Sequence, residues 1–141
     1  MEITEVSPEY MNKFAQQIIL ISSLLAGFSI TVVANLLVRS ARDRLAVAIL
    51  KVATLSAGCF LVTVFAMTKL LMLTTPGYPT EFLEEAGSLL VPRIIGLLTF
   101  VTGLATLTAI IALAGWTHSR RTGIFTTAVG AATFLLLLFF M

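Results

Sequence analysis

Four long apolar segments that contain no charged residue alternate with short charged segments along the chain. The apolar segments are residues 15–38, 52–68, 94–115 and 123–141. A run of about 18 or more apolar residues, at 1.5 Å per helical residue, matches the ~30 Å hydrocarbon core of a bilayer. The pattern therefore predicts an all-α integral membrane protein with four transmembrane helices.

The charged segments between the apolar runs mark where we expect each helix to begin and end. We expect helices at residues 8–38, 45–73, 89–116 and 122–141, in a single transmembrane domain that comprises residues 1–141. The second helix includes Lys51 and Lys69 because its uncharged segment is short and long lysine side chains extend to the headgroups. Tight connections between helices 1 and 2 and between helices 3 and 4 predict an antiparallel bundle of two hairpins.

The beginning of the first helix has the signals of a helix N-terminus. Ser7 is a suitable cap, Pro8 fits the first helical position, and Glu9 is favoured by the positive end of the helix dipole. Glu2 and Glu5 stand where a signal peptide carries basic residues. We therefore expect the first apolar segment to remain in the mature protein as a membrane helix.

A short interfacial helix is predicted between the second and third membrane helices. Pro76 and Pro79 end the second helix, and Thr80 is suited to cap a short amphipathic one. Three glutamates on this segment form an acidic cluster, namely Glu81, Glu84 and Glu85. We interpret this cluster as a solvated acidic face rather than a calcium site, because calcium needs six to eight oxygen ligands.

Arginine residues are concentrated in the first and third connections, which contain Arg39, Arg42 and Arg44 and then Arg120 and Arg121. Short cytoplasmic loops carry the excess of Lys and Arg, so we expect both connections in the cytoplasm and both chain termini outside. Without an organellar targeting signal, the default membrane is the bacterial inner (plasma) membrane. The net charge of +2 does not predict nucleic-acid binding, because the cations are divided among short loops.

A row of small and polar residues follows one side of the first helix. This polar stripe comprises Gln16, Ser23, Gly27, Thr31 and Asn35. Small residues let helix backbones approach each other, so a helix contact is one interpretation. The other is that the stripe lines a hydrated path in a homo-oligomer, where the Asn35 side chains form a polar ring.

The chain contains few residues of the types that catalysis or cofactor binding requires. Cys59 is the only cysteine and His118 the only histidine, so we expect no disulfide, metal centre or paired haem ligation within one chain. Asp43 is the only aspartate, and no Asp, Glu or His lies in the middle of a helix, where a proton-coupled carrier needs a titratable group. We expect neither a cofactor nor enzymatic activity.

Residues 22–29 resemble the pore helix of the Orai calcium channels, a four-helix family that assembles as a hexamer. This resemblance places Asn35 at the position of the selectivity glutamate of that family. The sequence departs from the family in three respects. Asn35 carries no charge, the helix begins with acidic rather than basic residues, and the distribution of cations orients the helix in the opposite direction. The chain is therefore not assigned to the family.

Two hypotheses about function remain. In the first, the chain forms a homo-oligomeric channel or pore in which the polar stripe faces water and the acidic residues of the outer side attract cations. In the second, the chain is a non-catalytic membrane subunit or scaffold whose basic loops bind a cytoplasmic protein or anionic lipid. The amide of Asn35 favours the pore, since a passive helix contact needs only Ala or Gly at that position.

Overall fold

The computed structural model describes residues 7–39, 43–77, 79 and 89–140, and all the regular secondary structure within them is α-helix. Its helices are α1 (Pro8–Val38), α2 (Arg44–Thr74), α3 (Leu90–Trp116) and α4 (Arg120–Phe140). All four are long and apolar enough to cross a membrane. The prediction of an all-helical protein with four membrane-length helices is confirmed. The interfacial helix predicted from Thr80 lies outside the described residues.

The ends of the helices follow from their local sequences. At the start of α1 the Ser7 hydroxyl accepts a hydrogen bond from the Tyr10 N–H at 3.3 Å, and Pro8 occupies the first turn, as predicted. At the start of α4 the Ser119 hydroxyl accepts the Thr122 N–H at 3.2 Å. The chain leaves α2 through Gly77, whose φ of 92° lies in the left-handed region that glycine adopts without steric cost.

Each helix packs mainly against its neighbour in sequence, so that α2 lies between α1 and α3 and α4 lies against α3. Asn12 near the start of α1 contacts Leu71 near the end of α2, and Ser29 contacts Ser56. Between α2 and α3, Thr63 contacts Thr99. These contacts place the beginning of α1 beside the end of α2 and the middle of α2 beside α3.

The buried core is shared by α1, α2 and α3. Its larger cluster is built around Phe60, Met67 and Leu70 of α2, which pack with three residues of α1 and with Phe100 of α3. The rings of Phe60 and Phe100 meet edge to face with centroids 6.3 Å apart. A smaller cluster joins Ile49, Ala53 and Ile110 with the end of α1. The end of α1, the beginning of α2 and the end of α3 therefore lie at the same end of the molecule.

Glycines allow the close contact between α2 and α3. A Cβ atom added to Gly103 would lie 2.8 Å from Cε1 of Phe60, and one added to Gly96 would lie 2.6 Å from Cε of Met67. Real Cβ atoms do not approach other heavy atoms so closely. The large side chains of α2 therefore pack against bare backbone of α3, which is a common way for membrane helices to gain contact.

Among the described residues, α4 packs extensively against α3 only. The Thr126 hydroxyl donates to the Ala112 carbonyl at 3.2 Å, and Trp116 Nε1 donates to the Thr127 hydroxyl at 3.1 Å. Only Gly123 and Gly130 are buried in α4. Most of the apolar surface of this helix is left without a partner inside the described part of the chain.

Candidate functional site

The polar stripe lies on the face of α1 that is turned away from α2. All five of its residues are exposed, namely Gln16, Ser23, Gly27, Thr31 and Asn35. The residues that α1 buries follow a different line, which comprises Ala15, Ile18, Ser22, Ala26 and Ser29. Apart from Gln16, which lines a cleft between α1 and the end of α2, the polar stripe takes no part in helix packing among the described residues.

Most polar groups of the stripe are hydrogen-bonded within α1. The Ser23 hydroxyl donates to the Ile19 carbonyl at 2.7 Å, and the Thr31 hydroxyl donates to the Gly27 carbonyl at 2.9 Å. A Cβ atom added to Gly27 would meet nothing within 4 Å, so the middle of the stripe is open. The Asn35 carboxamide is exposed and forms no hydrogen bond with the described residues, whereas its backbone carbonyl accepts the Arg39 N–H at 3.2 Å.

A second row of hydroxyl groups is buried between α1, α2 and α3. Ser29 Oγ lies 3.2 Å from Ser56 Oγ, and Ser56 also donates to the Gly103 carbonyl at 3.4 Å. The hydroxyls of Thr63 and Thr99 are 2.9 Å apart. Ser22 is fully buried, and its Oγ has no partner in the part of the chain that the structure describes.

Sequence reasoning missed this buried row. It selected the four-residue spacing of Ser23, Gly27, Thr31 and Asn35, whereas the packed residues Ser22 and Ser29 are seven residues apart and lie about 100° away around the helix. The seven-residue spacing, which Ala15 extends by one further step, is typical of a helix contact and was the signal available in the sequence.

The basic residues of the two predicted cytoplasmic connections lie at one end of the molecule. Arg39 ends α1, Arg44 begins α2, and Arg120 and Arg121 begin α4; all four are exposed. The smaller core cluster brings the end of α1, the beginning of α2 and the end of α3 together at this end. None of the four arginines forms an ion pair within the described ranges. Arg42 lies outside them.

The opposite end of the α1 and α2 pair carries a polar cleft of about 600 Å³. There the Asn12 carboxamide donates to the Leu71 carbonyl at 3.4 Å and accepts a bond from Gln16 Nε2 at 2.9 Å. Glu9 and Lys13 form an exposed ion pair at 3.2 Å. The predicted acidic cluster of Glu81, Glu84 and Glu85 lies outside the described residues.

The described residues offer little for metal or covalent chemistry. They contain no group of three or more His, Cys, Asp and Glu side chains that is placed to hold a metal ion. Cys59 is a free, half-buried thiol near the middle of α2, and His118 is exposed in the connection before α4. These two side chains lie on separate parts of the molecule and form no common site.

Comparison with known proteins gives no match to a family model, a curated protein or a solved structure.

Proposed function

We propose that this chain is a non-enzymatic integral membrane protein that assembles as a homo-oligomeric channel, with α1 of each copy lining a hydrated path. In this proposal the helices cross the bilayer as two antiparallel hairpins. The arginine-rich end lies in the cytoplasm of a bacterial inner (plasma) membrane, and both termini lie outside, because basic residues are retained on the cytoplasmic side.

The observation that carries the proposal is the exposure of the whole polar stripe on the outward face of α1. Large apolar side chains suffice for a surface that faces only lipid. The stripe instead presents the open surface of Gly27 and the hydroxyls of Ser23 and Thr31, and it ends in the amide of Asn35. Such groups line water-filled paths between membrane helices.

The position of α1 in the chain also favours this role. Its main partner is α2, so it is an edge helix whose other side is available to neighbouring copies. Asn35 lies four residues before Arg39, near the predicted cytoplasmic boundary. In a ring of copies, its amides form a polar mouth there. Glu9 lies at the opposite entrance, where the acidic cluster is also predicted from the sequence, and these acids favour cations.

Conductance measurements on the purified protein in planar bilayers test this proposal. We expect a current that Asn35→Leu reduces. We also expect the reversal potential to shift toward greater cation selectivity in Asn35→Asp and toward lower cation selectivity in Asn35→Lys. Thr102→Leu is the matched control, because Thr102 is exposed on α3 and its hydroxyl donates only to the Leu98 carbonyl in the described part of the chain. Reversal potentials that do not respond to charge at position 35 contradict the proposal.

A second candidate function is a membrane subunit or scaffold that binds a cytoplasmic protein or anionic lipid. It is supported by the exposed arginines at one end of the molecule, Arg39, Arg44, Arg120 and Arg121. Their charge is suited to an acidic partner. Capture of binding partners by the wild type and by a variant with these residues changed to Gln tests this alternative. A partner that stays bound to the variant contradicts it.

A further inference from the structure

A shallow, open groove of about 580 Å³ runs along α2 where it borders α3. Its walls include Lys51, Thr54, Gly58 and Cys59 of α2 and Thr99 of α3. A Cβ atom added to Gly58 would meet nothing within 4 Å, so the floor of the groove is open at this residue. The groove is separate from the polar stripe, which lies on α1.

The groove has a positive charge at one end, and its hydroxyl groups are already hydrogen-bonded within the protein. Lys51 is exposed and forms no ion pair among the residues that the structure describes. The hydroxyl of Thr54 donates to the Leu50 carbonyl at 2.9 Å, and that of Thr99 donates to the Ile95 carbonyl at 2.8 Å. Because both hydroxyls are satisfied within their own helices, hydrocarbon can contact these walls without leaving a donor unpaired.

The length of the groove along α2 matches the thickness of one leaflet of a bilayer. Helix α2 has 31 residues, so it is about 46 Å long and extends about 8 Å beyond each side of a ~30 Å hydrocarbon core when centred in it. Lys51 then lies just inside the boundary on the side of Arg44, and its flexible side chain reaches the headgroups. From Lys51 to Val62 the groove extends about 16 Å along the helix, to just beyond the bilayer centre.

We propose that this groove binds one phospholipid with an anionic headgroup from the leaflet on the side of Arg44. The net negative charge of the lipid headgroup pairs with Lys51, and one acyl chain lies along the open surface of Gly58. The charge of Lys51 and the one-leaflet length of the groove both fit this occupant. The proposal requires that α2 spans the membrane, and it does not depend on channel activity.

Native mass spectrometry of the detergent-purified protein, with phosphatidylglycerol or phosphatidylcholine of the same acyl chains added, tests this binding. We expect wild type to retain phosphatidylglycerol preferentially and Lys51→Gln to lower that retention about fivefold, as expected for the loss of one cation near a membrane surface. Lys69→Gln, at the other end of α2, is the matched control and retains the lipid. Equal retention by wild type and Lys51→Gln overturns the proposal.

A second pair of variants tests the acyl-chain part of the groove. Gly58→Leu fills the groove and lowers the retention of phosphatidylglycerol, whereas Ala131→Leu adds the same side chain on the exposed surface of α4, away from the groove, and leaves it unchanged. Added phosphatidylglycerol also slows alkylation of Cys59 by a small maleimide in wild type and not in Lys51→Gln, since Cys59 lines the groove. Equal lipid loss in Gly58→Leu and Ala131→Leu contradicts the proposed position of the acyl chain.

Discussion

The hydroxyls of Ser29 and Ser56 lie 3.2 Å apart in the fully buried contact between α1 and α2. Ser56 also reaches the Gly103 carbonyl, so this one side chain connects α1, α2 and α3. Hydroxyl groups in this position hold membrane helices together without burying a charge. They also limit the size of the residues that the contact tolerates.

Replacement of Ser56 by Ala is expected to lower the free energy of unfolding by about 1 kcal/mol, because hydrogen bonds between membrane helices contribute about 0.6 kcal/mol on average and at most about 1.7. The loss also leaves Ser29 without its partner. Titration with sodium dodecyl sulfate, followed by circular dichroism, measures this change. Ser23→Ala is the control, since the exposed Ser23 hydroxyl bonds only within its own helix in the described structure. Equal losses in the two variants are inconsistent with a stabilising contact at Ser56.

Gly103 and Phe60 give a prediction about steric fit. Gly103→Ala places a Cβ atom 2.8 Å from Cε1 of Phe60, and overpacking of this kind costs about 1–3 kcal/mol of stability. The same unfolding titration measures the loss, and adding Phe60→Leu is expected to recover part of it, as a double-mutant cycle would detect. Gly58→Ala is the matched control and is expected to be neutral or stabilising, because its added Cβ atom meets nothing within 4 Å. Purely additive effects of the Gly103 and Phe60 changes argue against the contact.

The membrane-length helices were predicted from the sequence, whereas the packing face of α1 was missed, because a seven-residue spacing was its only mark. The length of an apolar run and the residues at its ends, such as Ser7 and Pro8, determine a helix largely by local physics. The packing face of α1 depends on shape, because this helix is apolar on most sides. Ser22 and Ser29 are buried against α2, and the neighbouring Ser23 is exposed, although nothing in the chemistry of a serine distinguishes these positions.

The candidate sites, too, could be predicted from the sequence only where their residues lie on one helix. The polar stripe was visible in the sequence because its members lie on one helix, and its exposure became known only from the packing of α1 on α2. The groove beside Lys51 was not predicted, because Thr99 comes from α3 and its place beside Gly58 and Cys59 depends on the contact between two helices.

Trp116 is the only tryptophan, so its fluorescence reports on the contact between α3 and α4. A Cβ atom added to Gly123 would lie 2.6 Å from Cδ2 of Trp116, and Gly123→Leu is expected to displace the indole ring. The displaced ring loses its bond to Thr127 and becomes more accessible to acrylamide, which quenching of its emission measures. Ala131→Leu, on the exposed surface of α4, is the control and leaves the quenching unchanged. Identical quenching in both variants means that Gly123 does not support the ring.

The proposed orientation leads to a labelling pattern in intact cells. With Cys59 changed to Ser, the variants Ser7→Cys and Ser119→Cys each carry a single thiol at the exposed beginning of α1 or of α4. These serines are well matched, because each accepts a backbone N–H at the start of its helix, so both substitutions weaken a similar cap.

A membrane-impermeant maleimide is expected to label Ser7→Cys in intact cells and to label Ser119→Cys only after the membrane is permeabilised. The reason is that Ser119 precedes Arg120 and Arg121, whose charge holds this connection on the cytoplasmic side. The reverse pattern would show that the molecule is inverted, with the proposed cation entrance in the cytoplasm. Labelling of both thiols in intact cells would place the two ends on the same side and contradict an odd number of crossings between Ser7 and Ser119.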